Sequence, residues 1–378
     1  MRLFVSEFIC GGGWSGSECP PSLVREGAAM LRAFVGDVLR ISGMRVVTTW
    51  DCRLGIELGI TSESLEVIEV SNANEEREVF ARLCRDADAS YVIAPELHDE
   101  LSRRVTVASG SGNKRPVAGQ MTPACNLNCS VEAIDLCGDK WAMYEHLAHC
   151  GIPTIPTSRV GVESDTSAFG WPRVLKLRQG AGSQAMQLVT SPADWEQATS
   201  RYDSSNRCAE AIAQPYIRGI ALSMGAIVDR SGTVQLLPVA DQWIDPEQGF
   251  AYLGGRIPSD RAIPRNIRGA NVERTPTTVP SRPGGPEDDP TLRLVRDTLS
   301  TIPGLQGYVG VDLLNPQSPA LGTPLIVEIN PRLTTSYVGY QRLCLDNLAA
   351  LWIGNEAHRT GPRWRPGQVE FNSAGEFR

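Results

Sequence analysis

The sequence predicts a mixed α/β and α+β protein: an N-terminal open parallel sheet followed by two further lobes. Three observations carry that reading. The chain has 378 residues, enough for about two or three domains at roughly 150 residues each. Up to about residue 130, short apolar runs alternate with stretches of helical periodicity, as in an open parallel sheet. Beyond that point strands follow one another with glycine turns and fewer helices, an α+β pattern.

The first unit spans 1–130. Residues 2–9 are rich in Phe, Val and Ile and read as a strand, ended by Gly11, Gly12 and Gly13. Pro20 and Pro21 precede Ser22, a candidate N-cap. Val24, Ala28, Leu31, Val35 and Val38 then recur at helical spacing, so 22–40 is an amphipathic helix. Residues 45–49 form a short strand running into Trp50 and Asp51, 75–86 a charged helix, and 91–94 an apolar strand stopped by Pro95. The second unit, 131–217, opens with a helix over 139–150 closed by Gly151. It continues with strands over 173–178, 185–190 and 209–217, a glycine turn at 180–182, and a helix over 192–200. The third unit, 218–355, holds strands over 220–228, 234–240, 307–314 and 323–329 and a helix over 336–350. Residues 255–290 are rich in Pro and Arg without periodicity, either a functional lid or a disordered insertion, and 356–378 reads as a tail.

Composition narrows the function. Lys and Arg number 36 against 43 Asp and Glu, a formal charge of −7. Sequence-independent nucleic-acid binding rests on phosphate neutralisation and is disfavoured. No apolar run approaches the roughly 20 residues a membrane helix needs, so no membrane partner is expected. Ten Cys are scattered without a secretion signal and read as reduced thiols in a cytoplasm.

Two strand-borne constellations carry chemistry. In the first, an apolar strand delivers Lys176 just before Gly180, Ala181, Gly182 and Ser183. Backbone amides and an ammonium are what a polyphosphate needs; a glycine hairpin with a solvent-facing Lys is the alternative. In the second, Glu328 and Asn330 lie two apart and so share a face, with Asp312 on a neighbouring strand. Two carboxylates and an amide oxygen suit Mg²⁺ held together with substrate phosphates. Arg332 follows with a fork suited to phosphate, or as the salt-bridge partner of the acid pair. Gln214, Pro215, Tyr216 and Ile217 end a strand between lobes and could present backbone groups to an adenine edge. Lys140, at a helix start, could reach phosphates from a second side. Thr334, Thr335 and Ser336 open the last helix, either holding a substrate carboxylate or capping the helix.

In this order the pieces resemble the ATP-grasp superfamily over roughly 130–355. The resemblance implies the ATP-grasp fold, with two ATP-binding lobes behind the N-terminal parallel sheet. It implies that Lys140 and Lys176 bind the nucleotide, that residues 180–183 cover its phosphates, and that residues 214–217 form the adenine hinge. It implies Asp312, Glu328 and Asn330 as Mg²⁺ ligands, with Mn²⁺ a substitute, and Arg332 and Lys176 as catalytic residues. The family often carries a Glu after the hinge to hold the ribose; here Ala221 occupies that place, and Glu210 is the candidate replacement. Such a site would transfer the γ-phosphoryl group of ATP to a carboxylate, and an amine would then displace phosphate to form an amide.

At a finer level the chain resembles the branch containing tyramine–glutamate ligase of methanofuran biosynthesis and its methylofuran counterparts. The short matches are Glu7 with Gly11, Gly12 and Gly13; Glu26, Gly27 and Met30; Pro95 and Glu96; and Tyr252, Gly254 and Gly255. They imply small amino-acid substrates, glutamate with tyrosine or tyramine, and place Gly11, Gly12, Gly13 and Glu96 on the substrate side. A homodimer is compatible with this reading. Three competing readings fit the residues less well. A dinucleotide fingerprint at Gly11, Gly13 and Gly16 is interrupted by Pro20 and Pro21, and Asp51 comes too late. A zinc site on Cys125, Cys129, Cys137, His146 and His149 fits no usual spacing. A non-catalytic nucleotide-binding module would lack a metal ligand or Arg332, and all are present.

Overall fold

Alternation along the first strand sets the N-terminal architecture. In the computed structural model, which describes residues 1–16, 19–110, 125–161, 169–180, 186–204, 210–260, 289–318, 323–353 and 361–378, β1 is Arg2–Glu7 and is buried along almost its whole length. Leu3 and Val5 point to one face and pack on the first helix, α1 (Pro21–Leu39), through Leu31, Phe34, Val35 and Val38. Phe4 points to the other face, toward Phe80, Leu83, Leu101 and Val105. Those four lie on α2 (Ala73–Asp86) and α3 (Glu100–Gly110). Strands β2 (Arg45–Asp51), β3 (Leu65–Val70), β4 (Ala89–Ile93) and β5 (Cys125–Asn126) complete a parallel sheet of order β3-β2-β1-β4-β5. It is the open parallel sheet expected from the sequence. β3 and α3 were not anticipated, because β3 is a half-exposed edge strand and α3 is short and polar on one side. The predicted N-cap Ser22 lies inside α1, whose cap position is Pro20.

The middle segment comprises helices α4 (Val131–Gly138), α5 (Lys140–His149) and α6 (Pro192–Ser204). Strands β6 (Ser158–Arg159), β7 (Arg173–Leu177), β8 (Gln187–Val189) and β9 (Ala211–Pro215) form an antiparallel sheet of order β6-β9-β7-β8.

The largest sheet is antiparallel throughout. It comprises β10 (Gly219–Val228), β11 (Val234–Leu236), β12 (Ala240–Asp245), β13 (Ala251–Ile257), β14 (Gly307–Pro316), β15 (Leu325–Asn330) and β16 (Val369–Asn372). Helix α7 (Pro290–Ser300) precedes β14, and α8 (Ser336–Leu343) and α9 (Ala350–Ile353) follow β15. Three expectations are corrected here. The irregular stretch assigned to 255–290 begins inside β13, where Arg256 pairs with Asp241 at 2.7 Å; residues 261–288 lie outside the described ones. The supposed tail contributes β16, which pairs with β13 so closely that a Cβ at Gly254, whose φ is +128°, would lie 2.1 Å from the Phe371 carbonyl oxygen. The helix expected over 336–350 stops at Leu343, because Cys344 is extended.

The first domain and the large sheet share a core. Phe34, Tyr91, Tyr337 and Trp352 pack as one aromatic cluster. Buried Asp37 on α1 accepts hydrogen bonds from the Tyr337 hydroxyl at 2.5 Å and Gln341 at 2.8 Å on α8. Among the described residues no helix is long and apolar enough to cross a membrane.

Candidate active site

Antiparallel pairing of β14 with β15 sets Asp312 directly opposite Glu328, and the two-residue period carries Asn330 to the same face. Asp312 is held by two side-chain amides: Gln242 donates to Oδ1 at 2.7 Å and Asn330 to Oδ2 at 3.1 Å. Burial, and then the facing Glu328, push the Asp312 carboxyl up to about 6. Burial also acts to raise Glu328, but Lys140, Lys176 and Arg332 outweigh it and hold that carboxyl below its usual range. Asn330 faces Gly310, where a Cβ would lie 2.6 Å from Thr334, so only glycine lets the two segments approach this closely.

The cations arrive from the middle segment. Asp139 caps α5, accepting from the Trp141 and Ala142 amides, and pairs with Arg178. That fixes the first turn, from which Lys140 reaches Glu328 at 3.1 Å and the Gly180 carbonyl at 2.7 Å. Lys176, at the inward phase of β7, is 3% exposed. Burial lowers its ammonium to about 8, with Glu328 opposing and Lys140 adding to the shift. Ala181, Gly182 and Ser183 lie outside the described residues. At the lobe junction Gln214 turns inward and donates to Thr157 at 2.8 Å, and the Tyr216 amide is spent on the Pro172 carbonyl at 3.0 Å. Among the described residues, the Ile217 amide has no such partner and remains available to a ligand edge.

Arg332 is largely shielded, its side chain 13% exposed, and one edge of its fork is engaged. Its Nε and Nη2 donate to Glu96 at 2.8–3.0 Å, and Nη1 donates to the Leu333 carbonyl at 3.2 Å. Glu96 therefore does not line the cleft, contrary to its expected place beside the substrate; it orients Arg332 from the first domain. Thr334 and Ser336 form a hydroxyl triangle with Tyr308, at 2.8–3.1 Å, and Thr335, at the cap position of α8, makes no side-chain capping bond. Of the two readings of this segment, a side-chain N-cap is not the one observed.

Lys140, Lys176, Gly180, residues 214–217, Asp312, Glu328, Asn330, Arg332 and residues 334–336 all border one cleft of about 810 Å³. Gly11, Gly12 and Gly13 do not. They fold back under β1, where the Gly11 amide donates to the Glu7 carbonyl and a Cβ at Gly13 would lie 2.5 Å from both Arg104 and Phe8. Arg104 is locked there by Glu76 and by the Phe8 and Phe80 rings, so the glycines serve packing. Glu210 is exposed and away from the cleft, so it does not replace the acid missing at Ala221. The cysteines and histidines of the zinc alternative are spread apart: His146 meets Thr301, and Cys129 exchanges bonds with the Gln306 backbone. Unanticipated in the cleft wall are Ser22, Leu23, Glu26 and Met30 from α1, Gln242 and Trp243 from β12, Tyr252 from β13, and Ser373. The four-residue spacing of Ser22, Glu26 and Met30 was a readable signal of one helix face.

The donor set fits a divalent cation bound with a nucleotide. Among the described residues no group of three His, Cys, Asp or Glu forms a metal cluster. Two carboxylates with one amide are an incomplete oxygen cage, the kind Mg²⁺ completes with waters and substrate phosphates.

The sequence pattern of the ATP-grasp domain family matches residues 137–275 and 277–336, more than half of the chain, and that of the pre-ATP-grasp 3 domain matches residues 44–115. The chain belongs to the ATP-grasp family. Its fold is the ATP-grasp fold, with the parallel sheet in the N-terminal region and antiparallel sheets elsewhere. An ATP-grasp superfamily protein of Archaeoglobus fulgidus is similar in structure, with 21% identity, TM-score 0.64, and coverage of 98% of this chain and 92% of that one. The biotin carboxylase domain of Hydrogenobacter thermophilus 2-oxoglutarate carboxylase, a dimer with Mg·ADP and bicarbonate, has 14% identity, TM-score 0.66, and coverage of 98% and 73%. In sequence, the vancomycin C-type resistance protein VanC2 of Enterococcus casseliflavus is 22% identical over 152 residues, 37% of this chain and 43% of its own. The chain matches less than half the length of the curated relatives it resembles.

Proposed function

We propose that this ATP-grasp protein is an ATP-dependent carboxylate–amine ligase, joining glutamate to tyrosine or tyramine in methanofuran- or methylofuran-type biosynthesis. The observation that carries the ligase reading is convergence: Lys140, Lys176, Asp312, Glu328, Asn330 and Arg332, from three parts of the chain, border one cleft. The substrate pair is supported by the short sequence matches.

A carboxylate is a poor electrophile and repels ATP. Lys140 and Lys176 would bind the β- and γ-phosphates, drawing negative charge away from the transferring group. The Ile217 amide would meet the adenine edge. Asp312, Glu328 and Asn330 would hold Mg²⁺, which when bound neutralises charge on the phosphoryl oxygens. Arg332, held rigid by Glu96, would steady the carboxylate as its oxygen attacks the γ-phosphorus and ADP departs. The amine, in its neutral form, would then attack the acyl carbon through its nitrogen lone pair, and phosphate would leave, taking up the proton the nitrogen loses as the C–N bond forms. A dry cleft protects the acyl phosphate from water.

The test is ADP release with Mg·ATP and L-glutamate paired with tyramine, L-tyrosine or unrelated amines, products being weighed by mass spectrometry. ADP with a glutamyl-tyramine or glutamyl-tyrosine mass supports the whole reading. ADP with another pair retains the ligase and removes the substrate assignment. Absence of ADP with every pair counts against catalysis.

A further inference from the structure

The acid of the cleft wall that the nucleotide and metal chemistry does not use is Glu26. It comes from α1, as do Leu23 and Met30, and borders the cleft that Tyr252 and Ser336 also line. Among the described residues it has no hydrogen-bond or ion-pair partner. Arg332 is the strongest charge acting on it, but the Arg332 side chain pairs with Glu96 rather than with Glu26. Tyr252 borders the same cleft as Asp312 and Glu26. Charge therefore alternates along the cleft: acids at β14 and β15, then the Arg332 cation, then Glu26.

We propose that Glu26 anchors the amine substrate, receiving the ammonium of a primary amine whose apolar or aromatic body lies against Leu23, Met30 and Tyr252. An unpaired carboxylate in a half-buried wall is costly, and a ligand ammonium relieves that cost. The same charge repels the acyl donor and the polyphosphate, so the carboxylate substrate is confined to the Arg332 side and the amine approaches from α1. Burial raises Glu26 to about 7, which agrees with a site that a cation completes. This deepens the ligase reading and rests on it.

The experiment is calorimetric titration of tyramine into the full chain with Mg²⁺ and the non-hydrolysable analogue AMP-PNP. Its uncharged isostere 2-(4-hydroxyphenyl)ethanol is titrated in parallel. Tyramine is expected to bind at least about tenfold more tightly than the alcohol. Glu26→Gln is expected to erase that difference with AMP-PNP affinity unchanged, and Glu26→Asp to keep most of it. Equal binding of amine and alcohol by the unaltered protein, or unaltered tyramine binding by Glu26→Gln, overturns the assignment. So does absence of tyramine binding where AMP-PNP binds. Absence of AMP-PNP binding overturns the ligase reading and this inference with it.

Discussion

Asp312 and Glu328 are cross-strand neighbours whose surroundings shift their carboxyls in opposite directions. Burial and the facing Glu328 raise Asp312 to about 6. Glu328, although burial acts to raise it, is kept ionised by Lys140, Lys176 and Arg332. The pair is thus one firm anion beside one readily protonated acid, and a divalent cation would draw both into the charged form.

Glu328→Gln should therefore lower ADP formation by about 10²–10³-fold, since one fixed charge opposite the transferring phosphoryl group is lost. Lys140 would lose its ion-pair partner but keep the Gly180 carbonyl, so the fold should survive. Steady-state ADP release and a thermal melt check both halves. Normal turnover would remove Glu328 from the metal set.

Lys176 gives a pH dependence with two opposite signs. Burial lowers its ammonium from the ordinary 10.5 to about 8. As pH rises above 8 the free protein loses this cation, so kcat/KM for ATP should fall by up to about tenfold per pH unit. Stability should move the other way. Between about pH 8 and 10.5 the unfolded chain binds the proton that the folded one has released, so this group's contribution rises with pH. Lys176→Met should remove both trends, as read from pH–rate profiles and urea titrations.

Removing Glu96 should damage stability and catalysis together. Glu96→Ala leaves the largely shielded Arg332 guanidinium without its carboxylate, a loss of about 3 kcal/mol for a broken buried pair. With its fork released, Arg332 should lower kcat while KM for ATP stays within about twofold. Equal effects on kcat and KM would argue that Glu96 does not act through Arg332. Denaturant unfolding and ATP-dependent kinetics separate the two.

Gly13→Ala tests the packing role of the glycine turn. Its Cβ would collide with Arg104 and Phe8, which should cost about 1–3 kcal/mol. At a permissive temperature, KM values for both substrates should be unchanged. A selective rise in substrate KM would return this turn to the substrate site.

The sequence displayed what is local. Lys176 on its strand, the Glu328 and Asn330 spacing and the helix opening at Lys140 are periodicities over a few residues, and the structure brings those residues to one cleft. It concealed what depends on distant pairing. Glu96 reads as a loop acid after Pro95; only the fold reveals its partner 236 positions on. β13 and β16 hide in Pro- and Arg-rich surroundings because each is an extended segment stabilised by the other across more than a hundred residues. Gly11, Gly12 and Gly13 resemble a ligand-approach motif, yet the side chains that crowd them are Thr49, Val70 and Arg104.

The hydrogen bonds from Arg332 to Glu96, and from Tyr337 and Gln341 to Asp37, bear on how such a protein can diversify. Two of the joints between its first domain and its large sheet are buried and charged. A first domain transplanted from another lineage would arrive without a carboxylate at position 96 or 37 unless that lineage shared it. Recombination at the segment boundaries would then leave Arg332 mis-set before any new substrate was met. New specificities should accordingly arise by point changes along α1 and in the cleft wall, with the two halves travelling through evolution as a single heritable block.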